Sequence, residues 1–203
     1  MSIIKKILKF TSKSDEENVE PRKVESKFMP EEEAPTDENF MENFKKNGGK
    51  FLYCADMDEV HIIFQKILDE NNWHDTEVFC RDNQLRDTFK DFNLTYGKKS
   101  EEASFFLTTC EYLIGNTGAL LISSNQIGEK KLIELPHNFV VLAGTSQLVN
   151  GVSEGLRGIK NKSTDRIPTN ITTIKTFENK PSDDFMSYGS TSKNLYLLLL
   201  EDL

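Results

Sequence analysis

The chain has 203 residues, enough for one domain with a real core but too few for two ordinary domains beside a charged leader. Its 33 acidic against 25 basic residues give a formal net charge of -8. That balance disfavours nucleic acid as the main partner, because phosphate backbones are bound by clustered Lys and Arg in excess of nearby acids.

No run approaches the roughly 20 apolar residues of a membrane-spanning helix, and the start lacks a secretory signal's long apolar stretch and small-residue cleavage site. A cytoplasmic protein without membrane insertion is expected. Cys54, Cys80 and Cys110 are odd in number, widely spaced and set in apolar segments, which suits reduced thiols. With no CxxC and with His61, His74 and His137 scattered, no local spacing builds an iron-sulfur cluster or a structural zinc site. Neither a metal nor a resident cofactor is expected.

Residues 1–39 read as a charged leader. Ile3, Ile4, Ile7 and Leu8 line one side of a short helix whose other side carries Lys5, Lys6 and Lys9. Such a pattern suits an acidic lipid surface or a partner groove, and equally a fraying end, since eight residues are marginal as an isolated helix. Residues 11–39 hold Ser, Pro, Glu and Lys with almost no periodic apolar residues, too little to offset chain entropy by burial.

The text changes character near Thr36, and a folded domain is expected over residues 40–203. Phe40 and Phe44 lie one helical turn apart, and Gly48-Gly49 provide a left-handed stop. Residues 50–54 predict a buried strand. Asp56 then caps a helix with Glu59 three residues on, and Val60, Ile63, Phe64, Ile67 and Leu68 form its apolar stripe. A second strand is predicted at 76–80, followed by a short helix capped by Asp82 and carrying Leu85 and Phe89. This alternation argues for a mainly parallel sheet with helices on both faces. Further strands are predicted at 112–114, 119–123, 139–143, 171–176 and 195–200. A helix is predicted over 146–160 despite Gly151, Gly155 and Gly158, each costing up to about 1 kcal/mol relative to Ala.

Residues 103–123 are the most informative stretch. Cys110 and Glu111 lead into an apolar strand, and Gly115, Asn116, Thr117 and Gly118 connect it to another. Two glycines around Asn-Thr let backbone amides approach a ligand, and the Thr hydroxyl can donate to an anion. The same residues suit a plain hairpin turn.

Here the sequence resembles the LUD domain, named for lactate utilisation, most closely its lactate utilisation protein C type. The shared order is an acid at Glu111, an apolar strand at 112–114, Asn116-Thr117-Gly118, and an apolar strand at 119–122. It continues through Leu132 to Pro136, His137, the strand at 139–143, and Gln147, Leu148 and Val149, covering roughly residues 40 to 203. The resemblance implies a three-layer α/β fold similar to ribose-phosphate isomerases and CoA-transferases, with its site at strand ends. It also implies lactate oxidation beside iron-sulfur partner proteins, which would carry the redox chemistry. Two departures stand out. The family's acid before Thr-Gly is Asn116 here, which removes a charge and a general base. A family histidine near the C-terminus falls within Gly189, Ser190, Thr191, Ser192 and Lys193, where no histidine occurs. Pro168 and Thr169 correspond to part of a family Pro-Ser-x-Thr-Ala-Asp segment.

The ligand-binding candidates are therefore Glu111, Gly115, Asn116, Thr117, Gly118, Pro168 and Thr169, with a small anionic metabolite as the expected ligand. The leading expectation is an accessory protein of lactate or other organic-acid oxidation. Against it stand an enzyme of the CoA-transferase or sugar-phosphate isomerase kind, using Glu111 as nucleophile or base, and an interaction protein acting through the leader. Cys54 and Cys80 fall at strand ends, where small buried residues are commoner than reactive thiols. His137 reads as an exposed loop histidine, and Trp73 as packing or a partner contact. No Ser-His-Asp set, Walker loop or dinucleotide fingerprint is legible.

Overall fold

A computed structural model describes residues 34–164, 166–177 and 193–202. The helix expected at residues 3–9 and the comparison at residues 189–192 lie outside them. The first element, α1 (Thr36–Lys46), buries Phe40 and Phe44. It ends where Gly48 turns to φ 89° and the Gly49 amide donates to the Phe44 carbonyl at 3.0 Å, a Schellman-type closure. The leader's expected end at residue 39 therefore falls inside a helix that starts at Thr36.

Strand β1 (Lys50–Cys54) leads into α2 (Met57–Asn71). The Asp56 carboxylate accepts from the Glu59 amide at 2.9 Å, while the Glu59 carboxylate reaches back to the Ala55 amide at 2.7 Å. Val60, Phe64, Ile67 and Leu68 form its buried stripe. After β2 (Glu77–Phe79), Asp82 caps α3 (Asn83–Thr88) by accepting from the Gln84 and Leu85 amides. Then come β3 (Thr95–Gly97), β4 (Phe105–Thr108), the pair β5 (Tyr112–Ile114) and β6 (Ala119–Ile122), and α4 (Ser124–Ile127). The described chain continues with β7 (Asn138–Gly144), β8 (Leu148–Val149), α5 (Val152–Lys162), β9 (Thr172–Ile174) and β10 (Asn194–Leu200).

Six strands form one sheet in the order β1-β10-β7-β4-β2-β3, with every neighbouring pair parallel. One face packs Val78, Phe105, Leu107, Val140 and Leu198 against Val60, Phe64 and Leu68 of α2 and Leu85 of α3. The other packs Phe79, Phe106, Phe139, Val141 and Leu197 against Phe40 and Phe44 of α1 and against Leu113, Leu120 and Ile122 of a second, four-stranded sheet. That smaller sheet has the order β8-β5-β6-β9. Its outer face, with Tyr112, Ile114 and Leu121, is covered by Ile159 of α5. The three-layer α/β arrangement with a parallel sheet between helices is thus the one expected.

Three details differ from expectation. The strands expected at 112–114, 119–123 and 171–176 form, but in the small mixed sheet rather than the parallel one. The helix expected over 146–160 begins only at Val152. Ahead of it, Thr145–Gln147 make a 3-10 turn, and Leu148 and Val149 pair with Leu113 and Ile114, a tertiary gain that a short helical turn would forfeit. Strands β3 and β4 were not anticipated. Phe105 to Thr108 are all buried, so a strand covered on both faces shows no alternation to read.

Candidate functional site

The turn between β5 and β6 packs against α1, and its amides are all taken up. Gly115 donates to the Val149 carbonyl at 2.8 Å, Asn116 to Asn150 at 3.0 Å, and Thr117 and Gly118 both to Ile114, at 3.4 and 2.8 Å. Its carbonyls are held from the other side, Gly115 by the Asn43 side chain at 3.0 Å and Thr117 by Asn47 at 2.7 Å. Gly118 sits at φ 62°, and a Cβ there would lie 2.2 Å from the Phe44 nitrogen. Both glycines are fixed by close approach to α1 rather than by a ligand. The expected amide cradle for an anion is corrected accordingly: the donors already serve carbonyls. The Thr117 hydroxyl is buried without a hydrogen-bond partner among the described residues, and Asn116 is exposed.

Glu111 stands at the opposite end of β5 from this turn, so the turn and the acid do not form one site. Its amide pairs with the Leu121 carbonyl at 2.8 Å. One carboxylate oxygen, Oε1, accepts from the Ser123 hydroxyl at 2.5 Å and from the Asn125 amide at 2.8 Å. Ser123 is fully buried and caps α4 in a capping box with Gln126. The helix cap and the acid thus share one hydroxyl, which orients Glu111.

Pro168 joins Glu111 in a cleft of about 360 Å³, together with Asn125, Ile159, Lys162, Ser163, Thr164 and Arg166. Thr169 latches the loop over this cleft, because its amide donates to the Ser124 hydroxyl at 3.0 Å and its carbonyl accepts from the Ser124 amide at 2.8 Å. The Lys162 ammonium lies 4.8 Å from the Tyr112 ring centroid, a cation-π contact. Among the described residues, neither Lys162 nor Arg166 is paired with a carboxylate. An oriented acid, an amide, two hydroxyls and these two cations, with Ile159 and Pro168 beside them, can hold a small organic anion and accept a hydrogen bond from its hydroxyl.

Of the sequence candidates, Glu111 and Pro168 line this cleft and Thr169 adjoins it, whereas Ser123, Asn125, Lys162 and Arg166 were not singled out from the sequence. The basic residues Lys160, Lys162 and Arg166 just ahead of Pro168 were the available signal in a net acidic chain. Burial pushes the Cys54 thiol up to about 12, with Glu59 and Asp56 adding to it. Burial also raises Cys80 and Cys110, so all three remain protonated at neutral pH, unlike activated thiolates. His137 is exposed. Trp73 packs: it is buried and stacked on Phe105 with ring centroids 4.7 Å apart. Among the described residues, no group of three or more His, Cys, Asp or Glu is placed to hold a metal ion, and no helix is long and apolar enough to cross a membrane.

A three-layer α/β protein with an acid-bearing, cation-lined cleft is the class these features define. The sequence model of the LUD domain matches residues 38–200, and the chain belongs to that family, which is associated with lactate utilisation. Among solved structures it is similar to a DUF162 family protein from Deinococcus radiodurans, with a TM-score of 0.60 and 13% identity over 81% of this chain and 96% of that one. At that identity the likeness speaks for the fold alone. No curated protein matches the chain in sequence.

Proposed function

We propose that this protein serves lactate or related organic-acid oxidation inside the cell by binding a small hydroxycarboxylate in the Glu111 cleft, beside iron-sulfur proteins that carry the electrons. The observation that supports this most is Glu111 fixed by Ser123 and Asn125 in the same cleft as Lys162 and Arg166. The two cations suit a ligand carboxylate. The Glu111 carboxylate suits the neighbouring hydroxyl, and its Oε2 has no hydrogen-bond partner among the described residues. Three isolated cysteines without a CxxC are the reason for assigning the clusters to partners.

Calorimetric titration with lactate, against acetate as a control lacking the hydroxyl, tests the binding. The expected result is lactate binding that weakens at least tenfold when Lys162 and Arg166 are both changed to Met. Absence of lactate binding by the folded wild-type chain would overturn the reading. Co-elution of a brown partner at low salt is expected under native purification.

The alternative is an enzyme of the CoA-transferase or sugar-phosphate isomerase kind, favoured by Glu111 Oε2, which has no hydrogen-bond partner among the described residues. Glu111→Gln separates the two, since it removes the nucleophile or base but retains an oxygen that Ser123 and Asn125 can hold. The binding protein loses only several-fold in lactate affinity, because the ligand hydroxyl can accept from the new amide nitrogen, whereas the enzyme loses turnover altogether.

A further inference from the structure

A second cleft, of about 550 Å³, opens at the carboxyl ends of β2 and β3, where Phe79 and Gly97 pair in the parallel register. That edge of a parallel sheet is where α/β proteins place ligands, and the volume is that of a small-molecule site. The Glu111 cleft takes Asn125 of α4, whereas this one takes Ile127 and the residues that follow it.

Four cations line it, Arg81, Arg86, Lys98 and Lys130, against two acids, Glu129 and Glu134. Among the described residues none of the four cations is paired with a carboxylate. In a chain of net charge -8, four such cations converge on one cavity and outnumber its two lining acids even with Glu77 beside Gly97 as a third. One of them, Arg86, is held in place. Arg86 donates through Nε to the Cys80 carbonyl at 3.0 Å and through Nη2 to the same oxygen, which sets its guanidinium 5.2 Å from the Tyr96 ring centroid. Arg81 lies against Gly128, whose φ is 62° and whose Cβ, were there one, would fall 1.6 Å from Arg81 Nη1. Glycine at that position is what admits the guanidinium.

The Tyr96 hydroxyl adds an independent observation. It is shielded from solvent and has no hydrogen-bond partner among the described residues, an unfavourable state for a buried donor unless something else accepts from it. Burial holds its pKa up at about 12, so it offers a proton rather than a charge. Forked guanidinium donors, ammonium groups and a neutral phenol match a tetrahedral dianion better than a planar monocarboxylate.

We propose that this cleft binds the phosphate group of a small phosphorylated metabolite, at a site separate from the Glu111 cleft. The test is calorimetric titration of the full chain with glycerol 3-phosphate, with acetate as the monoanion control. The expected result is binding of glycerol 3-phosphate but not acetate, weakened at least tenfold in Arg81→Met/Lys98→Met. In Tyr96→Phe, binding is expected to weaken several-fold without loss of melting temperature, because the hydroxyl has no protein partner to lose. Lactate affinity is expected to stay unchanged in both variants, which separates this site from the proposed lactate cleft. Should the double variant fail to fold, Lys130→Met and Tyr96→Phe carry the same comparison. No binding of glycerol 3-phosphate by the wild type, or equal affinity in folded variants, would overturn the proposal.

Discussion

Gly118 satisfies two constraints at once, a left-handed φ of 62° and a helix backbone 2.2 Å from where a Cβ would sit. Neither is relieved by a rotamer change, so Gly118→Ala is expected to cost about 2–4 kcal/mol in urea unfolding. A loss under about 1 kcal/mol would show that the hairpin parts from α1 easily. Lys193 is only 2% exposed. Its ammonium donates to the Leu135 and Pro136 carbonyls at 3.0 and 2.9 Å, and burial pushes its pKa down to about 8. Between about pH 8 and the unfolded value of 10.5 the unfolded chain therefore binds more protons, and this group's contribution to stability rises with pH there. The full rise is roughly 3 kcal/mol at 1.36 kcal/mol per pKa unit. Comparing pH-dependent unfolding of the wild type with Lys193→Met isolates it, since the buried thiols, which titrate with the opposite sign, are common to both. Nothing in the local sequence marked Lys193 as buried. Glu111 and Pro168 were legible because each stands in a segment with a recognisable order, whereas Lys162 and Arg166 joined them only through folding.

At the scale of elements, caps and periodicity were the readable signals, and they held because they are local. Asp56 and Asp82 cap the helices that follow them, as their spacing implied. Asp56→Ala is expected to cost about 1 kcal/mol, read as a shift in denaturation midpoint at constant slope. The glycines of α5 looked like defects but fit its packing on the small sheet. A Cβ at Gly155 would come within 3.0 Å of Leu121, and one at Gly158 within 2.1 Å of the Tyr112 hydroxyl. The approach of α5 to β5 and β6 thus offsets their low propensity. Strand β8 was illegible for the converse reason. Two residues, Leu148 and Val149, have no period of their own and are a strand only because β5 lies beside them.

Across the whole molecule, the decisive element is β10, which inserts between β1 and β7 and pairs with both. Leu195, Tyr196, Leu197, Leu198 and Leu199 are all buried there. At about 1.5–3 kcal/mol per buried side chain, their contribution rivals the whole stability of a typical domain, about 5–15 kcal/mol. A chain ending before Asn194 is therefore expected to show no cooperative transition by calorimetry; retention of one would mean that β1 and β7 close without β10. At its far end, Asp202 ties β10 to the end of β7. Burial raises this carboxyl, but hydrogen bonds from the Ser146 hydroxyl and amide and the Thr145 hydroxyl outweigh that and hold it below the usual carboxylate value. The sequence by itself determined the α/β class, the helices capped by Asp56 and Asp82 and the LUD order around Glu111, because hydrophobic period, capping and motif order act over a few residues. Only the tertiary structure decided that the Gly115 and Asn116 amides meet the Val149 and Asn150 carbonyls, and that cations distant in sequence line the two clefts. Those outcomes depend on which segments lie side by side, a contact between residues far apart along the chain that no local pattern encodes.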